Sequence, residues 1–195
     1  MEQTSVQKLA RVLRVMVVAI FAGNIFALFL VPGLVTLGEL GEEWQHLFQM
    51  GSDPHEPLSP VVFLLIMWPE VFRHIPQGFG NQYVVLTLFL LLCGICTAVI
   101  LWQGKRVLDT ILKGNPFVMD NAKSLKTAAI CCFLIAGAAF LRLIWGFVYY
   151  QSIAPLLTYN ALFVPIFLMA GLLCMVMSAL FRQAAELKAE NDLTI

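Results

Sequence analysis

Cys93-Gly-Ile-Cys96 has the C-x-x-C spacing used by thiol redox and metal sites, and Cys131-Cys132 adds an adjacent pair. Such chemistry needs a thiolate, stabilised by a cation, a helix N-terminus or a metal. Both pairs lie in apolar runs, where a thiolate is costly, so we read them as small residues at helix contacts. Cys174 also lies in an apolar run; with none of the five cysteines in an aqueous loop, no disulfide framework is expected. His46, His55 and His74 share one segment with Glu39, Glu42, Glu43, Asp53, Glu56 and Glu70. These types suit a zinc or copper site or a pH sensor. No two of the histidines have tight ligand spacing, so they are read as surface or interfacial residues. There is no G-x-S-x-G, H-E-x-x-H, P-loop or G-x-G-x-x-G, and no carboxylate pair inside an apolar run. No catalytic residue, cofactor or metal is therefore expected, and the chain is read as a non-enzyme.

Two polar residues stand inside the apolar runs, Asn24 and Arg142. An arginine near the middle of a membrane helix costs about 2.5–3.5 kcal/mol on insertion scales. Arg142 either snorkels to the interface as an anchor or has a specific partner, with Glu70, Asn24 and Asn160 as candidates.

The elements that carry these residues follow from composition. Of 195 residues, 60% are hydrophobic and 12% charged, against about 45–50% and about 25% in a soluble domain. With a mean hydropathy of +0.84, the surplus must face lipid. Four segments, 15–35, 83–102, 128–150 and 156–180, reach the roughly 20 helical residues that cross about 30 Å of hydrocarbon. Helices are the way such runs satisfy their backbone in lipid. The fold class expected is an all-α membrane protein of four transmembrane helices, residues 1–195 forming a single membrane domain. The first span reads as an uncleaved anchor. Its Ala19, Gly23 and Ala27 form a small-xxx-small stripe, a packing seam within the bundle or in a homo-oligomer. Pro165 is expected to kink the fourth span.

Orientation follows from the basic residues. The N-terminal segment, loop 103–127 and tail 181–195 hold ten of the twelve Lys and Arg, whereas loop 36–82 has only Arg73. Basic flanks are retained in the cytoplasm. The expectation is a multi-pass membrane protein with both ends in the cytoplasm and 36–82 outside. In that outer loop, Leu37, Leu40, Trp44, Leu47 and Phe48 share a helical face suited to the interface. The apolar run within 61–72 is either interfacial or re-entrant. In the inner loop, Val107, Leu108, Ile111 and Leu112 continue helical spacing, and Gly114 followed by Asn115-Pro116 ends the helix. Asp120 or Asn121 is expected to cap the next helix, giving a helical hairpin. Beyond the fourth span, Arg182 and Glu186 at i,i+4 support helix to about Glu190.

Ile111-Leu-Lys-Gly-Asn-Pro-Phe117, followed by Asn121 and Leu125, resembles the loop of the domain-of-unknown-function 2975 family of bacterial four-span membrane proteins. The terminal Glu186-Leu-Lys-Ala-Glu-Asn-Asp-Leu-Thr-Ile195 is similar to that family's closing run and is the more specific motif. The four-span layout agrees, so the resemblance covers most of the chain. It implies association with a small Cro-like helix-turn-helix regulator, which a membrane partner would hold or release.

The function expected is accordingly a regulatory or interaction role toward a cytoplasmic partner, with no direct contact with nucleic acid. The candidate surface comprises Asn115, Pro116, Phe117 and Asn121 with Glu186, Glu190, Asn191, Asp192, Leu193, Thr194 and Ile195. Alternatively the acidic tail folds back on Lys105, Arg106, Lys123 and Lys126. The rival function is a small transport, export or immunity-type membrane protein working through the outer loop and the helices.

Overall fold

The computed structural model describes residues 5–40, 82–151 and 159–193. These form four helices: α1, Ser5–Leu40; α2, Gln82–Leu112; α3, Met119–Tyr150; and α4, Tyr159–Leu193. Among the described residues there is no strand. Each helix contains a stretch long and apolar enough to cross a membrane. The large apolar side chains of α1 and α4 are exposed on most faces; Leu141 and Val148 of α3 are also open, at 68% and 73%. A helix that shows apolar residues to every side is solvated by hydrocarbon. The chain is therefore a multi-pass membrane protein.

The helices outrun the apolar segments. At 1.5 Å per residue the 35 residues of α4 reach about 50 Å, well beyond the roughly 30 Å of hydrocarbon. Helix α1 continues to Leu40, past the expected end at Val35. Pro165 lies inside α4, and the helix continues on both sides of it.

The described residues form two compact units, 25–94 and the remainder. In the first, Val35, Val84, Thr87 and Phe89 are buried. Gly94, between the cysteines of the C-x-x-C sequence, faces α1 so closely that a Cβ there would lie 2.5 Å from Leu28 Cδ1. In the larger unit, α3 is the centre. Its buried residues are mostly small: Ala122, Ser124, Ala128, Ala129, Cys131, Cys132, Ala136, Ala139 and Gly146, with Ile135 among them. Small side chains let backbones approach closely, and dispersion and hydrogen bonds then hold the helices together where lipid supplies no hydrophobic drive. Phe133 fills the space over Gly171 of α4, where a Cβ would meet its ring at 2.8 Å. Cys96 lies beside Cys131 where α2 meets α3, and Cys132 lies beside Cys174 where α3 meets α4. All five cysteines are free.

Residues 41–81 lie outside the described residues. With them go His46, His55, His74, Glu42, Glu43, Asp53, Glu56, Glu70, the rest of the amphipathic face beyond Leu40, and the 61–72 segment. So do 152–158, Thr194 and Ile195.

Candidate interaction surface

Contacts in the larger unit show that successive helices are antiparallel. Arg14 pairs with Asp109 at 2.7 Å, while Phe21, further along α1, meets Trp102, further back along α2, with ring centroids 5.9 Å apart. Thr110 meets Asn121 at the turn, and Cys96 meets Cys131 deeper in. Ser178 of α4 reaches Ala122 of α3, and Gly171 lies under Phe133. One end of this unit therefore gathers the start of α1, the α2–α3 turn and the last turns of α4. The ten basic residues of the N-terminal segment, the loop and the tail all belong to it.

The turn is built from standard stop signals. Gly114 has φ +77; its N–H donates to Ile111 O, and the Asn115 N–H donates to Thr110 O. That pair of bonds is the Schellman motif, with glycine where the left-handed backbone would strain any side chain bearing a Cβ. Pro116 follows and cannot continue the helix. The start of α3 departs from expectation. Its N-cap is Val118, with extended backbone and no capping side chain, and Asn121 donates its backbone N–H to Val118 O. Neither Asp120 nor Asn121 is the cap.

Asn121 has a different task. It is 1% exposed, and its amide nitrogen donates to Thr110 Oγ1 at 2.6 Å and to Pro116 O at 2.7 Å. Thr110 in turn donates to Val107 O at 2.7 Å. One side chain thus uses both amide protons to bind the end of α2, the turn and α3 together.

The end of α4 is fixed to the start of α3 and to the turn at three levels. Ser178 Oγ donates to Ala122 O at 2.7 Å in a buried bond. The rings of Phe117 and Phe181 meet at 6.0 Å. Lys188 Nζ donates to Asn115 Oδ1 at 2.6 Å. The tie between tail and turn therefore includes a cation on an amide oxygen. Of the basic residues on which the acidic tail would fold back in the alternative reading, Lys105 lies over the Trp102 ring, at 4.8 Å, and Lys123 pairs with Asp120 at 3.8 Å. Glu186 accepts from Arg182 at 2.8 Å.

The surface so formed shows apolar groups among its charges: Phe117 is 48% exposed and Leu187 67%. Glu190 and Asn191 are exposed on the last turns of α4; Asp192 and Leu193 belong to the helix. Sequence reasoning missed Thr110, Ser178 and Lys188, none of which carries a local signal for its distant partner. Of the intramembrane polar residues, Asn24 Oδ1 is buried with no hydrogen-bond partner among the described residues. Arg142 is half-buried and engaged. Its candidate partner Glu70, and the side chain of Asn160, lie outside what is described. Among the described residues no group of His, Cys, Asp and Glu is placed to hold a metal ion.

The model of a family described as protein of unknown function (DUF2975) matches residues 66–195, which include α2, α3, α4 and the whole hairpin–tail surface. No curated protein and no solved structure matches the chain.

Proposed function

We propose that this chain, which belongs to the DUF2975 family, is a non-enzymatic bacterial inner-membrane protein that presents its hairpin–tail surface to a cytoplasmic partner. The partner that fits is a small helix-turn-helix regulator, held at the membrane or released. The observation that carries this reading is the hydrogen bond from Lys188 to Asn115. It unites two segments 73 residues apart into one surface at the end where the basic residues collect. Positive charge is retained on the cytoplasmic side, so this end faces the cytosol and both termini are inside.

Helix lengths support the same placement. All charged residues of α2 and α4 lie toward their C-terminal ends, and those of α3, apart from Arg142, lie in its first turns. The excess of about 15–20 Å over the hydrocarbon therefore projects on this one side. The projecting tail carries Glu186, Glu190 and Asp192, acids that complement the basic face of a DNA-binding helix. Exposed Phe117 and Leu187 supply the apolar anchors an interface needs.

The test is direct binding between the full chain in detergent and purified small Cro-like helix-turn-helix proteins of the same cell. Binding is expected, and it should be lost when residues 186–195 are removed while the outer loop stays intact. No binding by the intact chain, or binding indifferent to that deletion, overturns the proposal. A phenotype that survives the deletion and depends on residues 36–82 would favour the transport, export or immunity reading instead.

A further inference from the structure

The groove between α1 and α2 is a separate feature, and the inference drawn from it does not depend on the partner proposed above. A cavity of about 210 Å³ is lined by Val17, Val18, Phe21, Leu101, Trp102 and Lys105. Its walls are apolar except at one edge. There the Lys105 ammonium lies over the Trp102 ring, 4.8 Å from its centroid. Trp102 is 48% exposed and Val18 42%, so the groove opens outward along the helices, not into a closed core. One turn beyond, toward the end that gathers the basic residues, lies a second cavity of about 320 Å³. It is lined by Arg14, Asp109, Leu112 and Lys113.

The charges along this path do not cancel. Asp109 pairs with Arg14 at 2.7 Å, while Lys105 and Lys113 have no carboxylate partner among the described residues. A tryptophan with a lysine one turn on is the arrangement of a membrane–water interface, the ring at headgroup level and the cation just outside the hydrocarbon. The groove thus offers in sequence an apolar wall, an amphipathic ring, a cation and a polar chamber. An acyl chain, a glycerol backbone, a phosphate and a headgroup occur in the same order.

We propose that this groove is a binding site for one anionic phospholipid. An acyl chain lies against Val17, Val18, Phe21 and Leu101, the phosphate sits on Lys105, and the headgroup extends toward Arg14 and Asp109. Basic pockets between membrane helices on the cytoplasmic side recognise anionic headgroups by this chemistry. The carboxylate of Asp109 favours a hydroxylated headgroup, since it accepts hydrogen bonds from hydroxyls and repels further negative charge.

Native mass spectrometry of the full chain in detergent, titrated with phosphatidylglycerol or phosphatidylcholine of identical acyl chains, tests the site. We expect one phosphatidylglycerol retained about fivefold more strongly than phosphatidylcholine, the factor a single interfacial lysine supplies. Lys105→Gln should remove that preference while Lys126→Gln, on α3, keeps it. Val18→Trp, which fills the groove, should reduce retention of both lipids. Equal retention of the two lipids by the unaltered chain overturns the proposal. So does a preference that survives Lys105→Gln, displacement of the lipid by free glycerol phosphate, or a second copy of the chain that excludes lipid from the groove. If either groove variant fails to fold, the comparison of the two lipids on the unaltered chain decides.

Discussion

Asn121 determines whether the hairpin has a defined shape. A buried amide that donates to a hydroxyl on one helix and a carbonyl in the turn takes both bonds with it when it is removed, although Pro116 O keeps the Val118 N–H and Thr110 still donates to Val107 O. Each such bond contributes about 0.5–1.5 kcal/mol net, so losing two costs about 1–3 kcal/mol. Asn121→Ala should lower the unfolding free energy by about that amount in a denaturant titration of the detergent-solubilised chain. Asn115→Ala, which removes an exposed hydrogen bond to Lys188, should cost less. Equal losses from the two would mean that Asn121 is not the clamp. Only half of this was legible beforehand. The Gly114-Asn115-Pro116 stop is local chemistry, set by one residue needing a left-handed backbone and one lacking an N–H. Asn121 looks like a cap because its residue type is a common cap. Its partner Thr110 lies eleven residues back, on the far side of a turn whose geometry had first to be known.

At the scale of elements, α3 and α4 are held by a small-residue seam into which Phe133 inserts over Gly171. Any side chain at 171 must displace that ring, and overpacking of this kind costs about 1–3 kcal/mol. Gly171→Val should destabilise the chain by that order, and Phe133→Ala in the same molecule should recover part of it. Two simply additive losses in the double-mutant cycle would refute the contact. The four apolar runs were plain in the sequence because hydrocarbon thickness sets their length and leaves few other choices. The helix ends were less plain. Helix α1 runs to Leu40 and α4 to Leu193 because amphipathic or charged turns extend an apolar helix without any change in backbone chemistry. Which α3 residues face α4 was written only as small-residue composition, and Ser178, 56 residues from Ala122, bears no mark of its partner.

At the scale of the whole molecule, charge asymmetry and helix pairing bear on the same conclusion independently. Hydropathy and the distribution of Lys and Arg follow from the sequence alone. The antiparallel contacts at Arg14–Asp109, Thr110–Asn121 and Ala122–Ser178 come from packing. Both collect the N-terminal segment, the hairpin turn and the tail at one end. Partner binding requires that this end be in the cytosol; were it outside, no cytoplasmic regulator could reach the surface. The most direct measurement is thiol labelling in a cysteine-free background, with Asn115→Cys and Leu187→Cys placed in the surface and Gln151→Cys at the opposite end. A membrane-impermeant maleimide applied to intact spheroplasts should label position 151 alone, and in inverted vesicles it should label 115 and 187. Labelling of 115 or 187 from outside the intact membrane would contradict the account.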